Sequence, residues 1–288
     1  MILSTNLVGL QNVFGVKDTI DVLAKVGFAG VDFCNDREEF YTAAHDKAFY
    51  TNIKNYAHEK EIAIAQAHAP FPSSFVEEDK TAQRFEEIVQ SMRNAAYLGA
   101  PMIVVHPCVH LDFEEEGNAE KLFEINLDFY RRLAPYAEEL GIQIAIENIK
   151  RVSITSQPER LNRLYDTLNS PVFTICFDVG HCLLQGVDPA TAVRALGARL
   201  VNGCTHIHDN GGELDEHTLP YYGNVDWEGV MQALAEIGYQ GTFNYEAAGF
   251  FRNVPPELRP DALAYMAAVG RHLIGKFERY KADGKSVL

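Results

Sequence analysis

The chain is poor in cationic side chains, and this shortage argues against several classes of partner. It has 25 lysine and arginine residues against 40 aspartate and glutamate residues, and a formal net charge of -15. Such a charge repels polyanions, whereas affinity for nucleic acids depends on contacts from Lys and Arg to phosphate. We therefore expect neither a nucleic acid nor an anionic membrane surface as a partner.

Cysteine is also scarce, and its spacing follows no known pairing pattern. The five cysteines are odd in number and show no C-x-x-C spacing, which argues against a disulfide framework and against a structural zinc knuckle. No apolar run is long enough to span a bilayer, and the first residues, MILSTNLVGL, lack the basic region of a signal peptide. We expect a protein of the reducing cytoplasm that does not enter a membrane.

What the chain does contain is a regular alternation of β-type and helical patterns. Its 288 residues, 47% of them hydrophobic, supply enough material for one large core. The predicted strands are Ile2–Thr5, Gly30–Phe33, Ile62–Ala67, Met102–Val105, Gln143–Ile146, Phe173–Phe177, Leu200–His206 and Thr242–Tyr245. The predicted helices are Val16–Val26, Ala43–Glu59, Asp79–Leu98, Ala119–Leu140, Gln157–Leu168, Pro189–Leu196, Trp227–Ile237 and Pro260–Tyr280. Eight alternating βα units predict an α/β fold, the (β/α)8 TIM barrel. We expect this barrel to form a single domain over residues 1–288.

The connections differ on the two sides of the predicted barrel. Returns from a helix to the next strand are brief and contain glycine, as at 27–30 and 98–102, whereas loops that leave strands are longer and polar, as at 107–118 and 209–226. In barrels of this kind the active site is built from the loops at the C-terminal ends of the strands. Functional residues are therefore expected where strands end.

Acidic and imidazole side chains occupy the ends of six successive predicted strands. These residues are His68, His106, Glu147, Asp178, His206 and Glu246, with His181 just after Asp178. The stretch Val201–His217, VNGCTHIHDNGGELDEH, adds His208, Asp215 and His217. A packed core has no use for such a cluster, because each buried imidazole or carboxylate needs a partner. Carboxylate and imidazole without thiolate suit a divalent ion such as Mn²⁺, Mg²⁺, Co²⁺ or Zn²⁺.

Glu147 and Glu246 form a candidate acid and base pair. They end the fifth and eighth predicted strands, which lie three apart around the ring, so they can face each other across a substrate. Two carboxylates on opposite faces of a metal-bound α-hydroxy ketone can remove a proton on one side and deliver it on the other. The metal would stabilise the enediolate between these steps.

These motifs resemble the xylose isomerase-like barrels, which include ketose 3-epimerases, hydroxypyruvate isomerase, inosose dehydratase and zinc-dependent abasic-site endonucleases. The resemblance rests on HAP at 68–70, HP at 106–107, EN at 147–148, DVGH at 178–181, HIHDN at 206–210, GNVDW at 223–227 and the Glu246 strand. In the epimerase branch it implies one divalent metal ion, Mn²⁺ in the first place, bound by Glu147, Asp178, His206 and Glu246. The catalytic acid and base would be Glu147 and Glu246, and the substrate hydroxyls would be bound by His68, His106, His181 and His217.

The same resemblance leaves other activities open. Abasic-site endonucleases hold three zinc ions with nine residues, and every corresponding position here is a competent ligand: His68, His106, Glu147, Asp178, His181, His206, Asp215, His217 and Glu246. The loop after His68, PFPSSFVEED, is nevertheless acidic where a DNA-facing loop should be neutral or basic. Gly212 stands where some ketose epimerases have an arginine, which argues against a simple free-ketose 3-epimerase.

We expect a metal-dependent sugar isomerase or epimerase that acts on a small sugar or keto-polyol through a metal-bound enediolate. The first alternative is an inosose-type keto-polyol dehydratase, and the others are a three-zinc abasic-site endonuclease and a non-catalytic sugar or metal sensor.

Several smaller expectations concern the surroundings of the site. Near the ends of the first two strands, Asn6 and Asp32 are candidates for the pocket floor, and a hydrophobic wall is expected from Phe14, Phe71, Phe250 and Phe251. The basic residues closest to strand ends are Lys150, Arg151 and Arg252. The apolar face of Pro260–Tyr280 is expected to pack on the barrel, and a homo-oligomer remains open.

Overall fold

Eight parallel strands close into a barrel in the computed structural model, which describes residues 1–34 and 38–285. Each strand pairs with the next one along the chain, and the last pairs with the first. The strands are β1 (Ile2–Asn6), β2 (Gly30–Cys34), β3 (Ala63–His68), β4 (Met102–Val105), β5 (Gln143–Glu147), β6 (Phe173–Asp178), β7 (Cys204–Ile207) and β8 (Thr242–Tyr245). The predicted single-domain (β/α)8 TIM barrel is thus confirmed.

Helices follow the strands and cover the outside of the barrel. Within the described residues the longer helices are Val16–Val26, Lys47–Glu59, Glu78–Leu98, Asn118–Leu140, Pro158–Leu168, Pro189–Leu196, Trp227–Glu236 and Arg259–Lys285. Short α-helical segments at Gln11–Phe14, Glu38–Tyr41, Val179–Leu184 and Ala248–Phe251 were not predicted. Two 3₁₀ turns lie at Gly197–Arg199 and Pro256–Leu258.

Apolar side chains fill two separate regions. The larger one lies between the strands and the helices and contains large buried side chains such as Trp227, Tyr130 and Phe243. The smaller one consists of Met102, Val104, Ala145, Cys176 and Cys204 on strands β4 to β7. Each of the five cysteines is buried, and none of them forms a disulfide in the described chain. Within strands β6 and β7, Cys176 and Cys204 therefore act as small apolar residues.

Aspartate begins several helices, and glycine ends others. Asp46 accepts a hydrogen bond from the backbone N–H of Phe49, so this helix begins at Lys47 and not at Ala43 as predicted. Gly99 and Gly141 end their helices at φ values of 78° and 67°, which lie in the left-handed region that glycine adopts without strain. These tight ends account for the short returns to the next strand.

Strand β7 is shorter than predicted. Leu200 is fully buried, but its φ of -91° and ψ of -16° place it at the end of the 3₁₀ turn Gly197–Arg199. The strand begins only at Cys204. A buried turn and a buried strand have the same apolar composition, which is why the pattern did not separate them.

The last helix, Arg259–Lys285, packs on its own barrel. Its predicted apolar positions Leu263, Met266, Leu273 and Phe277 are all buried, and it contacts the helices Trp227–Glu236 and Val16–Val26. Its apolar face is therefore covered within the chain. No helix in the described part of the chain combines the length and the apolar character needed to cross a membrane.

Candidate active site

Side chains from four neighbouring strands converge at the C-terminal end of the barrel. His206 of β7 has its Nδ1 atom 3.3 Å from Glu147 Oε1, 3.8 Å from Asp178 Oδ2 and 3.6 Å from Glu246 Oε2. Glu147 and Asp178 end β5 and β6, and Glu246 directly follows β8. The strand register pairs Asp178 with His206, which brings both side chains to the same level. The predicted metal ligands thus meet around one point.

Two atoms at this point have no hydrogen-bond partner in the described chain. They are Asp178 Oδ2 and His206 Nδ1, and both are buried. An unpaired buried polar atom is costly, and a cation between the two atoms would satisfy both of them. Because the group combines carboxylate oxygens with an imidazole nitrogen and lacks thiolate, it fits one divalent cation.

The protonation states of the cluster agree with such a fit. Burial alone would raise the pKa of the Glu147 carboxyl, but His106 and His206 outweigh this effect and hold the pKa well below its usual value. Burial would lower the pKa of His206, but Glu246 and Glu147 raise it well above the usual value. Protons on the imidazoles therefore balance buried carboxylates, and a metal ion can take over this role.

The turn after β6 holds Asp178 in a fixed orientation. Its Oδ1 accepts a hydrogen bond of 2.6 Å from the backbone N–H of His181 and so caps the helix Val179–Leu184. The side chain of Asn148 accepts from the backbone N–H of Asp178 at 2.7 Å and donates to its carbonyl at 2.8 Å. The EN and DVGH motifs thus clamp β5 to β6 and leave Asp178 Oδ2 available for a ligand.

Gly180 leaves room for a second imidazole beside Asp178. A Cβ atom at Gly180 would lie 2.0 Å from Cε1 of His208, so no larger residue fits without displacing this ring. His208 is fully buried, its Nε2 lies 3.1 Å from Asp178 Oδ1, and its ring stacks on His217 at 3.9 Å. The sequence pattern placed His208 in the cluster without a functional role. In the structure its ring contacts both Asp178 and His217.

His68 and His106 lie on the other side of Glu147. Their Nε2 atoms are 3.3 Å and 2.9 Å from Glu147 Oε2. Nδ1 of His68 lies 2.7 Å from the carbonyl of Ala69, and since a carbonyl only accepts, this nitrogen carries a proton. The ring of Phe71 stacks on His106 with 4.8 Å between the centroids. Both imidazoles therefore fix the outer oxygen of Glu147.

The remaining predicted residues form a second group around Asp215. Asp215 Oδ2 lies 2.7 Å from Lys150 Nζ, 3.1 Å from His217 Nε2 and 3.8 Å from His181 Nε2. Nδ1 of His217 donates to the carbonyl of Glu246 at 2.6 Å, which ties this group to the end of β8. Burial would lower the pKa of His217, but Asp215 and Glu246 outweigh it and raise the pKa to about 8.

One cavity of about 430 Å³ connects these groups. The predicted substrate-binding residues and the two glutamates line it: His68, His106, His181, His217, Glu147 and Glu246. Asn6 also lines the cavity, as expected, whereas Asp32 lies beneath it and is fully buried. Of the predicted hydrophobic wall, only Phe71 lines this cavity, and Phe251 is part of the core.

A buried polar layer beneath His206 was missed by sequence reasoning, apart from Asp32. Gln66 Nε2 lies 3.1 Å from Asp32 Oδ2 and 3.0 Å from Nε2 of His206. Asn244 donates to Asp32 Oδ2 at 3.0 Å and accepts from Ser4 at 2.9 Å. Burial raises the pKa of Asp32 to about 6. The available signal was weak, since Gln66 and Asn244 are single polar residues within apolar strands.

These features define an α/β barrel with a carboxylate and imidazole site at the C-terminal ends of its strands. The family model of the xylose isomerase-like TIM barrel matches residues 20–268, and the chain belongs to this family.

The curated relatives include sugar-modifying enzymes. The uncharacterized protein y4fM of Sinorhizobium fredii is 26% identical over 255 residues, which cover 81% of this chain and 81% of that protein. The D-psicose 3-epimerase of Enterocloster bolteae is 25% identical over 240 residues, covering 78% of this chain and 74% of the epimerase. An inosose dehydratase of Lacticaseibacillus casei is 27% identical over 135 residues, 40% of this chain and 44% of the dehydratase.

Solved structures share the fold over nearly the whole chain. A D-tagatose 3-epimerase-like protein superposes with a TM-score of 0.76 at 20% identity and covers 99% of both chains. The IOLI protein with a bound zinc atom superposes with a TM-score of 0.76 at 18% identity, covering 97% of this chain and 99% of that one. Both structures share the fold with 97% or more of this chain, which is more than the residues 20–268 that the family model matches.

Proposed function

We propose that the protein is a divalent-metal-dependent sugar isomerase or epimerase. The observation that carries this proposal is that Glu147 and Glu246, from β5 and β8, approach the same nitrogen of His206 from two strands. Relatives that are named as sugar epimerases support a small sugar or keto-polyol as the substrate. A cytoplasmic location is part of this proposal and stays a prediction.

Each residue of the site has a role in this proposal. Glu147, Asp178, His206 and Glu246 hold the cation, for which we favour Mn²⁺ because three of its four ligands are carboxylates. When bound, this ion supplies a Lewis acid that polarises the substrate carbonyl and stabilises developing negative charge. Glu147 and Glu246 take a proton from the carbon next to the carbonyl on one face and return one on the other.

The four histidines serve this proton transfer. His68 and His106 hold Glu147 ionised and fix its outer oxygen, so that its orientation is set before the substrate arrives. His181 and His217 line the same cavity, and together with His68 and His106 they bind substrate hydroxyls.

A keto-polyol dehydratase is the second candidate function. It begins with the same proton abstraction and then needs a proton donor for the departing hydroxyl. His217, whose pKa is raised to about 8, lies beside Glu246 and can supply that proton. The inosose dehydratase relative supports this candidate. Loss of water from the product, detected by mass spectrometry, distinguishes the two reactions.

The substitution Glu246→Gln tests the proposal. A carboxamide keeps the size of the side chain and can still bind a cation weakly, but it cannot accept the substrate proton. We expect exchange of substrate hydrogen with D₂O to fall by about 100-fold or more across a panel of ketoses and keto-polyols. The exchange is followed by NMR, and the metal content of each variant is measured in parallel.

Glu213→Gln is the matched control for this experiment. Glu213 is exposed and lies in the loop between β7 and the helix Trp227–Glu236, outside the cavity. Its substitution removes the same charge without touching the proposed acid and base, and exchange should continue at the parent rate. Near-normal exchange in metal-loaded Glu246→Gln would contradict the two-carboxylate mechanism.

A further inference from the structure

Three cations line the outer part of a cavity whose inner part contains acids. Lys150 and Arg151 follow β5, and Arg252 follows β8. These are the strands that carry the proposed acid and base: Arg151 lies four residues after Glu147, and Arg252 lies six residues after Glu246. All three cations are exposed, whereas Glu147 is buried. The cavity therefore combines a buried acidic end with an exposed basic end.

The two arginines differ from Lys150 because their side chains have no partner among the residues that the structure describes. Lys150 Nζ lies 2.7 Å from Asp215 Oδ2. Within the described part of the chain, the guanidinium groups of Arg151 and Arg252 make no hydrogen bond, ion pair or ring contact.

Several other arginines on the surface are paired with carboxylates. Arg163 binds Glu120, and Arg199 binds Asp166, each through two short hydrogen bonds. A chain with a net charge of -15 has acids in excess. Other exposed arginines without a carboxylate partner in the described chain, such as Arg131, lie outside the cavity, whereas Arg151 and Arg252 place two unpaired guanidinium groups on its lining and so indicate an anionic ligand.

We propose that the substrate carries an anionic group, a phosphate or a carboxylate, on the end remote from its reacting carbons, and that Arg151 and Arg252 bind this group. The inference rests on the proposed isomerase or epimerase function and narrows its substrate class to sugar phosphates or sugar acids. A planar guanidinium group binds either anion through two parallel hydrogen bonds. The overall charge of the chain repels such a substrate, and the two arginines reverse this effect at the cavity.

The dimensions and walls of the cavity suit this arrangement. A volume of about 430 Å³ lies in the range of small-molecule sites and accommodates a monosaccharide with one terminal anion. Val8, Phe71 and Ile149 line the same cavity and supply apolar surface. Such surface lowers the local polarity, which strengthens the attraction between guanidinium groups and an anion.

Equilibrium binding of three probes to the metal-loaded protein tests the proposal. The probes are D-fructose, D-fructose 6-phosphate and D-fructuronate, and titration calorimetry gives their dissociation constants. At least one anionic probe should bind about 10- to 100-fold more tightly than D-fructose, as expected for hydrogen bonds to a charged group. The two anionic probes distinguish a phosphate site from a carboxylate site.

Substitutions then assign this preference to the arginines. In the double variant R151Q/R252Q the ratio of anionic to neutral affinity should fall by about 10-fold or more. Arg252→Lys keeps the charge but not the planar group and should retain part of the ratio. Arg131→Gln removes an exposed arginine from the helix Asn118–Leu140, outside the cavity, and should leave the ratio unchanged.

Two results would overturn the proposal: equal affinities for the three probes, or an unchanged ratio in R151Q/R252Q. Hydrogen exchange in D₂O with the same probes separates this failure from a failure of the proposed function. Arginine-dependent anion binding without exchange on any probe would support the anion site and contradict the isomerase or epimerase function. Exchange on D-fructose without any anion preference would support that function and contradict the anion site.

Discussion

His206 can bind a cation through Nδ1 only if its other ring nitrogen carries the proton. That nitrogen, Nε2, lies 3.0 Å from the side-chain amide of Gln66 and 3.9 Å from Asp32 Oδ2. In the structure the NH2 group of Gln66 faces His206, and its oxygen accepts a hydrogen bond from Thr242 at 3.1 Å. If the amide oxygen and nitrogen exchange places, the oxygen accepts the Nε2 proton of His206 and the hydroxyl of Thr242 becomes the acceptor for the NH2 group. Gln66 is thus a positioning residue for the proposed metal ligand.

Gln66→Met is expected to weaken the binding of divalent metal by about 10- to 100-fold, because the Nε2–H of His206 then loses its nearest acceptor. Titration of the metal-free protein with Mn²⁺ or Co²⁺ measures the affinity directly. Gln66→Glu keeps an acceptor in this place and should recover much of the loss. An affinity of Gln66→Met equal to that of the parent protein would contradict Nδ1 ligation by His206.

His217 gives the metal-free protein a specific dependence of stability on pH. Its pKa is about 8 in the folded chain against 6.5 without the fold. A raised pKa stabilises the fold below pH 6.5, and this stabilisation is lost as the pH rises through about 8. A shift of this size corresponds to about 2 kcal/mol in the free energy of unfolding.

Urea unfolding at several pH values, with chelator present, compares the parent protein with His217→Asn. Asparagine is chosen because residue 217 has a φ of 48°, which asparagine tolerates. The difference in stability between the two proteins should shrink as the pH rises from below 6.5 to above 8. A difference that stays constant over this interval would rule out His217 as the titrating group.

At the scale of elements, the loop after β7 is organised around one buried carboxylate. Asp209 accepts hydrogen bonds from the backbone N–H groups of Tyr221 at 3.0 Å and Val225 at 3.1 Å, and from Trp227 Nε1 at 2.8 Å. A Cβ atom on Gly223 would lie 2.3 Å from Asp209 Oδ1, so this turn requires glycine. Trp227, which is buried at the start of its helix, is therefore a packing residue, and Asp209 fixes the loop that carries Asp215 and His217.

Asp209→Ala is expected to destabilise the protein by about 3 kcal/mol or more, because the donors of Tyr221, Val225 and Trp227 lose their acceptor and the last two lie in buried residues. Urea unfolding measures the loss, and hydrogen exchange of the loop amides shows where it occurs. Asp209→Asn has the same shape and keeps one acceptor oxygen, so it should lose less. If the alanine variant is as stable as the asparagine variant, the three hydrogen bonds do not hold the loop.

The helices and strands were predictable because local sequence patterns determine them. The site was predictable because most of its residues lie at the ends of these strands. Apolar periodicity and glycine ends gave the helices and strands, and parallel strands bring residues such as Glu147 and Asp178 to one end of the barrel. The polar layer was not predictable, because it depends on register. Only the pairing of His206 with Asn244, and of Asp32 with Gln66, brings these side chains together across the barrel.

At the scale of the whole molecule, the topology of the closed barrel concentrates negative charge at the site. The net charge of -15 is spread over the surface, while the closed barrel gathers Glu147, Asp178 and Glu246 at one buried point. The two buried carboxylates and the partly exposed Glu246 need positive charge, and the imidazoles alone supply it only as protons. Binding of the proposed cation would therefore link the site to the stability of the entire barrel, because such an ion would bind the folded chain and not the unfolded one.

We expect about one equivalent of divalent metal per chain in protein purified without chelators. The group around Asp215 also has the residues for a cation site, with His181, His208 and His217 within reach. Lys150 already supplies a positive charge to Asp215 at 2.7 Å, which disfavours a second ion there. His217→Ala should therefore hardly change the metal content measured by elemental analysis. About two or three equivalents of zinc, reduced in that variant, would contradict a single-metal site and would call for an assay of abasic DNA cleavage despite the negative charge of the chain.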